Sequence, residues 1–146
     1  MSQAGETFFT SIGCMDGRCQ EVVALYGQER FGAVYPDTIT EAGMVGILAQ
    51  ADIDEKFLAN LKKKVDISLK LHHSRGILVH GHAECAGNPV DDQTHQANIH
   101  DAARVISSMV EDESIPIIGL FVKRSETNDL ADWEAVEINH HEHHRN

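Results

Sequence analysis

Basic side chains are scarce in this chain. Its 146 residues hold 12 Lys and Arg against 23 Asp and Glu, a formal net charge of −11. Binding nucleic acid needs a basic face to neutralise phosphates, and adhesion to anionic lipid needs the same, so neither nucleic acid nor membrane is an expected partner. No uninterrupted apolar run approaches the roughly 18 residues of a membrane span. Proline is rare, at three, and there is no Pro-rich linker, low-complexity stretch or internal repeat. Three cysteines (Cys14, Cys19 and Cys85) make a poor disulfide framework, and no Cys-x-x-Cys pair is present for thiol exchange. The first residues, Met1-Ser2-Gln3-Ala4, lack a basic stretch followed by an apolar one. No signal peptide is read there, and a cytoplasmic, reducing location is expected.

What is present suffices for a core. Apolar residues make up 42% of the chain, which argues against disorder. Residues 1–138 read as one domain of ordinary length, and 139–146 as a solvated His-rich tail containing His140, His141, His143 and His144.

Phe8 to Gly13 is a short apolar run ending at Cys14, and it predicts a buried strand. A helix over 20–28 follows, then a strand over 31–35 closed by Pro36-Asp37, then a small helix over 41–51. Asp52 and Glu55 have the spacing of a capping box, and behind them Leu58, Leu61, Val65 and Leu69 form one helical stripe. Gly76-Ile77-Leu78-Val79-His80 predicts a third strand, continuously apolar as parallel strands are. Asp91 or Asp92 caps a helix whose stripe is His95, Ile99, Ala102, Ile106 and Met109, and strands over 115–122 and 133–138 complete the order. Helices alternating with buried strands imply an α/β fold: a mostly parallel central sheet of about four strands, an added edge strand, and helices on both faces.

Two segments carry chemistry: Cys14-Met15-Asp16-Gly17-Arg18 and Gly81-His82-Ala83-Glu84-Cys85-Ala86-Gly87. Each follows on a predicted strand, and in an open α/β sheet ligands gather at the carboxyl ends of strands. Cys14, His82 and Cys85 are therefore expected to converge. Two thiolates and an imidazole suit tetrahedral Zn²⁺ better than the harder Mg²⁺ or Ca²⁺. Three protein ligands leave a fourth position open, as a catalytic site requires. Asp16 and Arg18 are expected to form a polarised pair there. Cys19 reads as a small buried hydrophobe, and His80 and His95 as core histidines.

These motifs resemble those of the β-class carbonic anhydrases, which carry Cys-x-Asp-x-Arg after the first strand and His-x-x-Cys-Gly after the third. Ser68-Leu69-Lys70 with Gly76 to His82, and Ile117 to Val122 with Asp129-Leu130, extend the resemblance over most of residues 8–138. The chain lacks the long N-terminal helical arm of larger members and so resembles the short bacterial and archaeal type. Of the family's Arg-Asn-Ala-Gly only Ala42-Gly43 remains, Gly17 stands in place of its Ser, and Ala86 in place of its Gly. The resemblance implies one Zn²⁺ per subunit on Cys14, His82 and Cys85, with Asp16 accepting a hydrogen bond from zinc-bound hydroxide and Arg18 fixing Asp16. It implies reversible hydration of CO₂ to bicarbonate by that hydroxide, in a homodimer or a multiple of dimers. A hydrolase of COS or CS₂ on the same site, or a non-catalytic metal- or anion-binding homologue, stays open as an alternative. Val34, Tyr35 and Val45 are candidates for the apolar wall.

Two thiolates cancel the charge of Zn²⁺, so a bound water should be harder to deprotonate than in a site of three neutral histidines, where about 7 is reached. Activity is expected to rise on the alkaline side. A pH–rate profile checks this, and one that is flat down to mild acid contradicts it.

Overall fold

Strands and helices alternate along the chain in a computed structural model that describes residues 2–127, 129 and 132–138. The His-rich tail lies outside these residues. The order is β1 (Phe8–Gly13), α1 (Gly17–Phe31), β2 (Tyr35–Thr40), α2 (Met44–Leu48), α3 (Glu55–Asp66) with a π-helical continuation over Ile67–Leu71, β3 (Ile77–His82), α4 (Asp92–Met109), β4 (Ile117–Arg124) and β5 (Trp133–Glu137). The strands form one sheet in the order β2-β1-β3-β4-β5. β1 to β4 are parallel and β5 pairs antiparallel with β4. Four parallel strands and an added edge strand are thus the architecture expected from the apolar runs.

Alternation along the strands feeds two cores. Ile12, Ile77 and Val79 pack with Leu48, Leu61, Val65, Ile99 and Ile106 from α2, α3 and α4. Phe9, Leu78 and Leu120 pack with Cys19 and Val23 from α1 on the other face. Among the described residues no helix is long and apolar enough to cross a membrane.

The topology decides where a ligand sits. From β1 the chain moves out to β2 at one edge; from β3 it moves through α4 towards the other. β1 and β3 are adjacent, with connections leaving in opposite directions, so a crevice opens at their carboxyl ends. Cys14 follows the last residue of β1, and His82 is the last residue of β3.

Several boundaries differ from the sequence expectation. The second strand is Tyr35–Thr40, not 31–35, because α1 continues to Phe31 before Gly32 ends it in the left-handed region at φ 61°. Gly27 lies inside α1, where a Cβ would come within 2.2 Å of the Phe9 ring, so the glycine lets the helix pack closely on β1. The helix expected over 41–51 shrinks to Met44–Leu48, since the Glu41 N–H still bonds the Gly13 carbonyl at 3.1 Å and Gly43 is left-handed. Asp54, not Asp52, caps α3, accepting from Lys56 N at 2.9 Å. β3 and β4 each end two residues later than expected, because β3 pairs with β4 as far as His82 and β4 pairs with β5 as far as Arg124.

The π-helical turn is pinned by polar side chains. Ser68 Oγ lies 2.7 Å from Thr10 Oγ1 on β1 and donates to Asp37 Oδ2 on β2 at 2.7 Å. His72 Nδ1 reaches the same carboxylate oxygen at 2.7 Å.

Candidate metal centre

The crevice brings together the three residues that the two motifs supply. Cys14 Sγ and Cys85 Sγ are 3.8 Å apart across 71 positions of sequence. With the His82 imidazole they form a buried group whose ligand atoms all lie within 4.8 Å of one another. Each arrives by a separate local device. Cys14 leaves β1 directly before the turn into α1, and His82 ends β3. Cys85 lies in the loop that follows, which packs backbone to backbone on the loop before α2. A Cβ at Gly43 would sit 2.4 Å from the Gly87 carbonyl oxygen, and one at Gly87 2.6 Å from Gly43 N. That approach also sets the Gly43 N–H on Cys14 Sγ at 3.5 Å.

The donor set fits a zinc ion. Zinc–thiolate bonds of about 2.3 Å in a tetrahedron require sulfurs about 3.8 Å apart, which is the separation found. His82 Nδ1 donates to the Ala83 carbonyl at 2.8 Å, leaving Nε2 buried without a hydrogen-bond partner. A metal-ligating histidine has this arrangement, one nitrogen anchored and the other free to ligate.

The electrostatics agree with that reading. Burial pushes the Cys14 thiol up, but the adjacent His82 imidazole and hydrogen bonds from the Gly43 and Asp16 backbone outweigh it and hold the group below its ordinary value. Cys85 is pushed up by burial and by the neighbouring Cys14. Burial opposes charge on His82, yet the Cys14 sulfur and the Ala83 carbonyl raise it above the usual histidine range. The cavity thus favours a thiolate beside a cation, and a divalent ion can replace the proton.

Asp16 caps α1, its Oδ1 accepting from Arg18 N at 2.8 Å. The Arg18 guanidinium grips the same carboxylate twice, Nε to Oδ1 at 3.1 Å and Nη2 to Oδ2 at 2.8 Å. Chiefly through these bonds Asp16 is held down at about 2, so it is a carboxylate throughout the neutral range. Its Oδ2 lies 3.8 Å from His82 Nε2, which puts it at the edge of the ligand group.

Other expectations fare unevenly. Cys19 is fully buried outside the ligand cluster and donates to the Asp16 carbonyl at 3.1 Å. His80 is a core residue with neither ring nitrogen hydrogen-bonded, and burial holds it down at about 4. His95 is buried with its ring 6.2 Å from that of His82. Val34 and Tyr35 are exposed, and Tyr35 pairs with Phe8 at the far end of β1 from Cys14, so these two do not flank the cluster. Val45 is buried in α2, two residues from Gly43. Sequence reasoning missed Glu84, Arg124 and Trp133, which surround Arg18. Only the place of Glu84 inside the second motif marks any of them beforehand.

The fold also has counterparts among known proteins. The family described as "Putative carbonic anhydrase" matches residues 4–144. No curated protein matches by sequence. Among solved structures the chain is similar to a tetrameric β-carbonic anhydrase from Sordaria macrospora (14% identity, 82% of this chain and 77% of that one, TM-score 0.55). It is similar to a β-carbonic anhydrase of Aspergillus fumigatus (12% identity, 94% and 79%, TM-score 0.56). A carbonic anhydrase from Streptococcus mutans is a third such structure (17% identity, 89% and 81%, TM-score 0.53). The chain belongs to the carbonic anhydrase family matched over residues 4–144, and its fold is that of the β-class enzymes.

Proposed function

We propose that this chain catalyses the reversible hydration of CO₂ to bicarbonate at one Zn²⁺ held by Cys14, His82 and Cys85. The observation that carries the reading is the pair of sulfurs 3.8 Å apart beside an unpartnered imidazole nitrogen, at the crevice between β1 and β3. When bound, the ion would supply the Lewis acidity that makes water a nucleophile.

The chain's own residues do the rest. Asp16, ionised and fixed by two guanidinium bonds, accepts a hydrogen bond from the attacking water and orients it towards carbon. Arg18 keeps the carboxylate charged and aimed, and its cation offsets the two thiolates. No side-chain nucleophile is needed. The tetrameric Sordaria neighbour supports assembly into dimers or multiples of dimers. Three free cysteines, two of them metal donors in this reading, support a reducing, cytoplasmic setting.

The test is metal analysis with stopped-flow kinetics on CO₂ and, in parallel, on COS. The expected result is about one zinc per chain and CO₂ hydration exceeding COS hydrolysis. Full zinc occupancy without turnover of CO₂ removes the proposal, and faster turnover of COS reassigns the substrate.

A further inference from the structure

The Asp16–Arg18 pair is itself held from outside. Glu84, between His82 and Cys85, has φ 59°, a left-handed conformation that is uncommon for a residue with a Cβ. Its backbone carbonyl accepts from Arg18 Nη2 at 3.0 Å, and its carboxylate lies 3.5 Å from Arg18 Nη1. The same carboxylate takes two bonds from Arg124 at the end of β4, Nε to Oε2 at 2.8 Å and Nη2 to Oε1 at 3.1 Å. Trp133, opposite Arg124 in the β4–β5 ladder, underlies both cations: the Arg18 and Arg124 guanidinium carbons are 4.9 and 4.6 Å from its ring centroid.

Single half-exposed ion pairs of this kind contribute little. Here one glutamate ties together the start of α1, the loop after β3 and the end of β4, and the first residue of β5 packs beneath. Glycine or asparagine would adopt that backbone conformation at less cost, but neither offers a carboxylate that can bridge two arginines. We infer that Glu84 is a positioning residue which, with Arg124 and Trp133, clamps Arg18 and through it keeps the Asp16 carboxylate facing the metal group without joining it. This rests on the zinc-site reading above. The clamp guards the open position of the metal. Asp16 Oδ2 is 3.8 Å from His82 Nε2, and a carboxylate is a ready zinc ligand. Released from Arg18, it would compete for that position.

The experiment uses the full chain loaded with Co²⁺, with thiocyanate as the probe of the open position by visible absorption. Emission from Trp133, the single tryptophan of the sequence, reports the clamp itself. Glu84→Gln is expected to retain the metal, to shift the tryptophan emission, and to weaken thiocyanate binding about tenfold, the lower end of the effect of disturbing an outer partner of a metal site. Adding Asp16→Asn to Glu84→Gln should restore the anion affinity, because the amide is a poor competitor for the metal. Arg124→Gln, outside both motifs, should act in the same direction as Glu84→Gln. Unchanged emission and anion affinity in Glu84→Gln overturn the clamp, as does a loss of affinity that Asp16→Asn does not rescue. CO₂ hydration by the parent is measured alongside. Its absence counts against the zinc-enzyme reading, whereas the clamp is decided by the comparison of parent and variants.

Discussion

Cys85→Ser is expected to lose at least about 10³-fold in CO₂ hydration, equivalent to about 4 kcal/mol of transition-state stabilisation, and to be purified with far less than one zinc per chain. A serine hydroxyl does not ionise near neutral pH and is a harder donor than a thiolate, so only Cys14 and His82 remain as effective ligands. The loss should be specific. Cys85 lies in a loop after β3 and contributes no strand pairing, so the circular dichroism of the variant should match that of the parent. Cys19→Ser is the companion measurement. That sulfur is buried and bonds the Asp16 carbonyl, outside the ligand cluster, so metal content should stay near one per chain. Equal hydration rates in the parent and Cys85→Ser would remove the catalytic proposal outright.

Gly13→Ala is expected to destabilise the fold by about 3 kcal/mol, within the range for overpacking a core, and to lower the melting temperature by about 10 °C for a chain of this length. Gly13 pairs in register with His80 on the neighbouring strand. A Cβ at Gly13 would lie 2.1 Å from His80 Cε1, with both ring nitrogens at 2.3 Å. The ring is fully buried and has no room to retreat. Gly17→Ala is the contrasting variant. Nothing lies within 4 Å of its added Cβ, and alanine is the better residue in the first helical turn by up to about 1 kcal/mol. Thermal unfolding of the pair should move in opposite directions. If Gly13→Ala melts with the parent, the tight contact between β1 and β3 is not as described.

The candidate metal ligands were legible because Cys14 and His82 each stand at the end of an apolar run that can only be a buried strand, with Cys85 close behind, and because strand ends in an open parallel sheet face one crevice. The sheet itself followed from the alternation of apolar runs with 3.6-periodic stripes. The second strand did not. Phe31 and Tyr35 are both apolar, and periodicity over so few residues cannot say that Phe31 closes a helix while Tyr35 opens a strand; the left-handed Gly32 between them decides it. The shell around Arg18 was hidden for two reasons. The φ of Glu84 is a property of a non-glycine backbone that residue type does not announce, and the meeting of Arg124 with Trp133 depends on the β4–β5 register. The candidate wall at Val34 and Tyr35 failed because strand direction places those residues at the wrong end of β1.

The division of labour between β1, β3 and their connecting segments has an evolutionary consequence. His82 ends a strand paired on both sides and Cys14 directly follows another, while Cys85 and the segments bearing Gly43, Gly87 and Asn88 lie in loops and turns. Loops tolerate exchange that ladders do not. Such a scaffold can acquire a new specificity by rewriting piecemeal the loop positions away from Cys85 and from the Gly43–Gly87 contact, while the candidate seat for an ion is inherited unchanged, and each alteration can be sampled by selection without first unfolding the molecule.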